Sequence, residues 1–305
     1  MKRWIVLLFA IIFIVLGSII WMKGAKQVLP DDGKLSVVTS FYPLYFFASQ
    51  IALDKATVLN ITPAGTEPHD YEPTTQDIAT IERSDIVILN GAGLETWSEK
   101  IQDMLKNSGT KFILVADKTA NLKLDDQEKP FQDPHTWLDP ILAKEEIKTI
   151  TAMFISVDPA NEISYQTNSN ALLKKMDQLD LNFKNGLKSC ALNDVVTSHA
   201  AFGYLASRYR FTQIPISGVS PDEEPSPKKL AEIVSITRDK NVRYIFFETL
   251  ISSRLAETIA EEVGAKTLVF NPLEGLTEQE QQEGVNYFTV QEENIKNLHT
   301  ALECN

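Results

Sequence analysis

Histidine, cysteine and positive charge are all scarce in this 305-residue chain. It carries 4 histidines, 2 cysteines, and 29 lysines and arginines against 41 acids, a formal net charge of −12. The shortage of positive charge excludes the basic surface that nucleic-acid binding selects, so no nucleic-acid partner is expected. An acidic balance suits a cationic ligand without demanding one, because a charge excess is usually a solvated face. Cys190 and Cys304 stand far apart and not at a metal-ligand spacing. A disulfide and two unrelated thiols remain equally open, since sequence gives no Cα separation. There is no HExxH motif, no tandem short repeat and no low-complexity tract.

A long charge-free run occurs once, at the start. Met1-Lys2-Arg3 is basic, and Trp4 to Met22 then runs 19 residues without a charge, enough for about 29 Å of helix. A signal peptide would have a shorter apolar core and an A-x-A-like cleavage site, which is not evident. No cysteine follows the run to carry a lipid. We therefore expect residues 1–33 to be an uncleaved membrane anchor and linker, with the body outside the cytoplasm, or secreted if the segment is cleaved. Lys2 and Arg3 keep the amino terminus inside.

The remaining roughly 280 residues fit two domains. Strand-like runs alternate with helical patterns: LSVVTS at 35–40, ATVLNI at 56–61, IVILN at 86–90 and KFILV at 111–115, then again at 194–198, 211–215, 244–247 and 266–270. Such βαβα alternation predicts an α/β fold with parallel sheets covered by helices. Between the two sets, apolar residues from Ile163 to Leu187 keep helical spacing, which predicts one long rod from Asp158 to Gly186 and not two helices broken near Asn168–Asn170. The expected organisation is a first α/β lobe at 34–157, a connecting helix at 158–189 and a second lobe at 190–305. Residues 116–134 read as a long loop, Ala200–Tyr209 as a helix and Gln291–Glu303 as the final helix.

The few histidines fall at telling places. His69 in EPHDYEP and His199 in TSHAAFGY each lie beyond a strand-like run, and His135 in DPHTWLDP lies between a loop and a helix. Ligands of parallel α/β sheets bind beyond the carboxyl ends of the strands. A lone histidine is usually only hydrogen-bonded, but three at equivalent places suggest three loops converging on one metal. Imidazole is a common zinc ligand, and a carboxylate often completes the tetrahedron. Glu274 in NPLEGLT is the candidate. Glu248 at a strand end is a candidate to orient a histidine, or a cap; Asp133 and Asp139 stand in the same position, with Asp139 better placed as the cap of a helix opened by Pro140. Trp137 and Tyr71 line the cleft or simply pack, and His299 falls on the surface of the last helix.

Taken together, EPHDYEP, SDIVILNGAGLETW, DPHTWLDP, TSHAAFGYLA, FFETLISS and NPLEGLT resemble the zinc and manganese substrate-binding proteins of ABC importers. The resemblance runs from Leu35 to Asn305. It implies two Rossmann-like lobes joined by one long rigid helix, with the metal in the interlobe cleft and delivery to an ABC permease driven by its ATPase. It places the ligands on His69, His135, His199 and Glu274. Manganese-type members tend to carry an acid where His199 stands, so Zn²⁺ is the expected cargo and Mn²⁺ the alternative. Glu274 matches streptococcal-type zinc members; many others use an aspartate just after the last strand, where Asn271 stands here. The histidine-rich loop of many zinc members is missing from residues 116–134. A monomeric binding protein, not an enzyme, is expected. A zinc hydrolase and a metal-dependent surface adhesin are the rival readings.

Overall fold

Among the described residues, ten short strands form two four-stranded parallel sheets and one hairpin. The computed structural model describes residues 33–126 and 129–305. The proposed anchor, Trp4 to Met22, lies outside those residues; among the described residues no helix is long and apolar enough to cross a membrane.

The first sheet holds β1 (Leu35–Thr39), β2 (Ala56–Asn60), β3 (Ile86–Leu89) and β4 (Lys111–Leu114) in the order β2-β1-β3-β4. The second holds β7 (Asp194–Thr197), β8 (Thr212–Pro215), β9 (Tyr244–Phe247) and β10 (Lys266–Val269) in the order β10-β9-β7-β8. With β7 set against β1, the two sheets have the same topology. In each, the chain crosses over the first strand between its second and third. The equivalence extends to sequence: Thr39-Ser40 leaves β1 and Thr197-Ser198 leaves β7, so His199 stands where the first lobe has Phe41. Strand interiors such as Ile86, Val87, Ile88 and Leu89 are fully buried, as expected of strands covered on both faces.

The helices are α1 (Tyr42–Ala52), α2 (Thr75–Arg83), α3 (Ser98–Leu105), α4 (Pro140–Val157), α5 (Glu162–Gly186), α6 (Gly203–Tyr209), α7 (Pro227–Asp239), α8 (Arg254–Val263), α9 (Glu278–Gln282) and α10 (Tyr287–Ala301). Helix α5 is the connecting rod, 25 residues long or about 37 Å. It is unbroken at Asn168, whose side-chain amide donates to the Ile51 carbonyl at 3.0 Å. Its buried stripe, Leu172, Met176, Leu179 and Phe183, belongs to one hydrophobic core that also takes in Phe41, Phe47 and Phe154 from the first lobe and Phe202, Phe246 and Phe270 from the second.

Four expectations need correction. Residues 116–134 are not a plain loop: β5 (Lys123–Asp126) pairs antiparallel with β6 (Lys129–Gln132). Their charged, proline-containing sequence lacks the apolar alternation that announces a strand. Helix α6 begins at Gly203 and not at 200, because Ala200 N–H bonds out to the Gly218 carbonyl at 2.8 Å. Helix α10 begins at Tyr287, where the Asn286 side chain accepts from the Phe288 and Thr289 amides, and the short α9 before it is opened by a capping box from Thr277 to Glu280. His299 is half-buried, not fully on the surface.

The cysteine question is also answered. Cys190 and Cys304 form a disulfide that closes 114 residues. It sits in a backbone bridge: Leu192 N–H donates to the Leu302 carbonyl at 3.0 Å and Asn305 N–H to the Ser189 carbonyl at 2.9 Å. Closing so long a loop stabilises the fold by about 2–4 kcal/mol, chiefly by restricting the unfolded chain.

Candidate metal centre

Parallel strands send their carboxyl-end loops to one side of a sheet, and all four candidate ligands arrive that way. His69 follows β2, His135 follows β4 through the hairpin, His199 follows β7 directly and Glu274 follows β10. One donor atom from each lies within 4.8 Å of the others. His135 Nε2 stands 3.3 Å from the Nε2 of both His69 and His199. Glu274 Oε1 faces all three rings, at 3.4 Å from His69, 3.1 Å from His135 and 3.2 Å from His199. His135 and His199 are fully buried and Glu274 is 1% exposed.

The surroundings decide which nitrogen of each ring faces inward. Asp133 Oδ1 lies 2.7 Å from His135 Nδ1 and also accepts the His135 amide at 2.9 Å. Glu248 Oε1 lies 2.7 Å from His199 Nδ1. A carboxylate opposite Nδ1 keeps a proton there, so the Nε2 lone pairs point at one another. Two lone pairs 3.3 Å apart repel unless a proton or a cation lies between them. The second oxygen of Glu274 adds to this: it is buried and has no hydrogen-bond partner. The donor set fits a small cation that prefers nitrogen and one oxygen.

Electrostatics agree. Burial alone would lower both deep imidazoles, but carboxylates override it: Asp133 and Glu274 raise His135, and Glu248 and Glu274 raise His199 well above the usual histidine range. His69 is lowered by burial, which Glu274 only partly opposes. Burial would raise Glu274, yet His199, His135 and His69 hold it well below the usual carboxylate range. Burial pushes Glu248 up against the pull of His199. The cluster thus holds positive charge readily, as protons or as a metal.

Three of the candidate ligands are fixed from behind. Trp137, fully buried, packs 5.1 Å from the His135 ring and 4.6 Å edge-on from Phe41, and its indole N–H donates to the Pro272 carbonyl at 2.8 Å. That bond ties the His135 turn to the Glu274 loop. Gly203 lets α6 approach closely: a Cβ there would stand 2.8 Å from Asp133 Oδ2. The carbonyl of His199 accepts from Thr197 Oγ1 and Gln213 Nε2, both at 2.8 Å. Leu273 takes a φ of 58°, held by its amide bond to Asn271 Oδ1 at 2.7 Å, which aims the next residue, Glu274, into the cluster. Asn271 therefore shapes the loop that carries Glu274.

Other candidates resolve into support. Asp139 caps α4 through the Ile141 amide at 2.8 Å and pairs with Arg208 at 2.5 Å. Tyr71 bonds Asp77 at 2.7 Å and, through its carbonyl, the Trp97 indole at 2.9 Å. Reading the sequence missed Glu67, whose Oε1 accepts the His69 amide at 3.2 Å and whose Oε2 is buried without a partner. Burial and the nearby Glu274 charge push it up to about 10. Its only sequence signal was the acid two residues before His69. Also missed was Asn90 at the end of β3, whose amide donates to the Pro134 carbonyl at 3.0 Å beside His135.

A family model described as ZnuA, zinc-uptake complex component A periplasmic, matches residues 37–301. The chain is 39% identical over 291 residues to the high-affinity zinc uptake system protein ZnuA of Bacillus subtilis, covering 92% of this chain and 91% of that one. It is 38% identical over 283 residues to the zinc-binding lipoprotein AdcA of Streptococcus pneumoniae, covering 89% of this chain but spanning only 56% of AdcA. The crystal structure of the Zn(II)-bound ZnuA-like domain of that AdcA superposes with a TM-score of 0.79 at 39% identity, covering 89% of this chain and all of that domain. With a match across almost the whole described body, two sheets of the same topology and a buried histidine–carboxylate cluster at their strand ends, this chain belongs to the ZnuA family of zinc-uptake proteins.

Proposed function

We propose that this protein captures Zn²⁺ outside the cytoplasm and delivers it to the permease of an ABC importer, with His69, His135, His199 and Glu274 as the ligands. One observation carries the reading: three imidazole Nε2 atoms and one carboxylate oxygen, from loops of both sheets, converge within 4.8 Å in a buried spot. Four protein donors close a tetrahedron, which zinc accepts readily. Manganese prefers more oxygen donors and higher coordination than three imidazoles supply. A hydrolytic zinc keeps three protein ligands and an open position, so the four-donor set favours carriage over catalysis. The disulfide suits an oxidising compartment. The lobes at 34–157 and 190–305, joined through 158–189, supply two ligands each. Competition titration of the metal-free full-length protein should give one zinc per chain and a strong preference over manganese; absence of zinc binding, or preference for manganese, would overturn the reading.

Two further outcomes follow. Glu248→Ala removes the group that orients His199, and loss of such a partner typically costs 10–100-fold in metal affinity; the same titration checks this, and an unchanged dissociation constant would show that His199 needs no orienting carboxylate. We also assign residues 4–22 the role of a retained membrane anchor, from their length and lack of charge. The intact mass of membrane-extracted protein should include Trp4, and a mature chain beginning near residue 25 would refute it.

A further inference from the structure

The four-donor cluster is closed on three sides. His135, His199 and Glu274 are essentially without solvent contact, and only His69, with 7% of its side chain exposed, reaches the surface. A zinc ion entering or leaving must therefore pass the His69 edge. Glu67 stands at that edge, two residues before His69, on a loop tied to the opposite lobe by the Gly65 N–H bond to the Leu276 carbonyl at 3.0 Å. The loop also lies close to Gly275, the neighbour of Glu274: a Cβ on Gly275 would come 3.5 Å from the Thr66 carbonyl. Glu67 therefore lies where the His69 loop meets the loop that carries Glu274. One of its oxygens is committed to the His69 amide, and the other is buried with no partner. Outside it, the exposed Asp70 lies beside Asp222 of the second lobe.

We propose that Glu67 is a transfer ligand: its unpartnered Oε2 takes the zinc ion at the mouth of the site and hands it to, or receives it from, the inner four donors. This rests on the reading of the cluster as a zinc-carrier site. Each step exchanges one donor for another. On the way in, the Glu67 carboxyl gives its proton to solvent as Oε2 replaces a water of the hydrated ion; the inner donors, shedding their own protons, then displace the remaining waters and finally Glu67, which takes a proton back; release runs in reverse. Zinc accepts such exchanges because it imposes no strong geometric preference and passes readily through five-coordinate arrangements. A bound ion without this ligand must trade a histidine directly for water in a buried place.

Glu67→Gln separates this role from a structural one, because the amide oxygen still accepts the His69 N–H while the carboxylate that can form on the ion is lost. In the full-length protein loaded with Zn²⁺, transfer to an excess of a chromophoric chelator is followed by stopped flow, with loading measured separately. We expect both rates to fall roughly tenfold, a barrier change typical of one lost interaction, while the equilibrium dissociation constant stays within about threefold. Glu67→Ala, which also frees the His69 amide, should show the same slowing together with weaker binding. Unchanged transfer and loading rates in Glu67→Gln would overturn the proposal. So would faster release with weakened affinity, which would make Glu67 a standing ligand. A parent protein that binds no zinc would instead refute the carrier reading itself.

Discussion

Replacing His199 with alanine is expected to weaken zinc binding on the order of a thousandfold. A four-donor zinc site contributes about 10–16 kcal/mol of apparent binding free energy near neutral pH. One donor's share is then about 2.5–4 kcal/mol, which is roughly 10²–10³ in the dissociation constant. His199 falls at the upper end for a local reason. Its ring is fully buried between Glu248 at 2.7 Å and Glu274 at 3.2 Å. Removing it leaves two buried acids facing each other with the bridging group gone, and an uncompensated buried charge is costly. Glu274→Ala should cost less, because a water can enter and accept the inward-facing zinc while the three rings stay oriented. The measurement is competition titration against a zinc chelator of known affinity. If Glu274→Ala binds like the parent while His199→Ala fails, the carboxylate is not a ligand and the three-histidine site stands alone.

Zinc affinity should also depend steeply on pH, in a window higher than free histidine would give. In the metal-free protein the carboxylates around His135 and His199 raise both rings above the ordinary value of about 6.5. A raised ring holds its proton to higher pH, and that proton must leave before Nε2 can bind metal. Affinity is therefore fully expressed above the raised values and is lost as pH falls through them. With two protons competing, the loss approaches about a hundredfold per pH unit. His69 is lowered by burial, so it joins the competition only at more acidic pH. Glu274 is held well below the usual carboxylate range and stays ionised throughout. Titrations at intervals between about pH 8.5 and 5.5 read the slope directly. A flat profile would mean that fewer than two imidazoles bind the ion.

Much of this was legible in the sequence because the signals were local. Strand runs such as IVIL between polar punctuation need only burial on both faces to be read. Asp139-Pro140 marks a helix start by cap chemistry alone, and the three histidines stand out by scarcity. What could not be read depends on distant parts of the chain. The β5–β6 hairpin is made of residues with no apolar alternation. The bond between Cys190 and Cys304 needs the final residues to return beside residues 189–192, which no spacing rule reveals. Glu248 looked as much like a cap as a partner until His199 was placed 49 residues away in sequence but 2.7 Å away in space. Glu67 was one acid among 41; only the fold places its buried, unpartnered oxygen next to the His69 turn.

The core shared by the two sheets and α5 bears on how the molecule comes apart. Phe46 of α1 stacks on Tyr287 of α10 at 5.7 Å and Phe47 meets the same ring edge-on at 5.1 Å, so the last helix of the second lobe is bedded in the first. Neither sheet can shed its helices without exposing apolar surface of the other. Two lobes of this size with separate interiors would melt as two calorimetric events. Here the two interiors are joined through this one core, and heating should give a single endotherm whose calorimetric and van't Hoff enthalpies agree. Zinc, bound by loops of both sheets, should shift that endotherm upward as a whole, by an amount that grows with the logarithm of free zinc. A metal-sensitive peak separated from an insensitive one would show that the two halves unfold independently. A cooperative unit of this kind makes loss of the ion a whole-molecule event for stability, even where the ion's departure is gated by one loop.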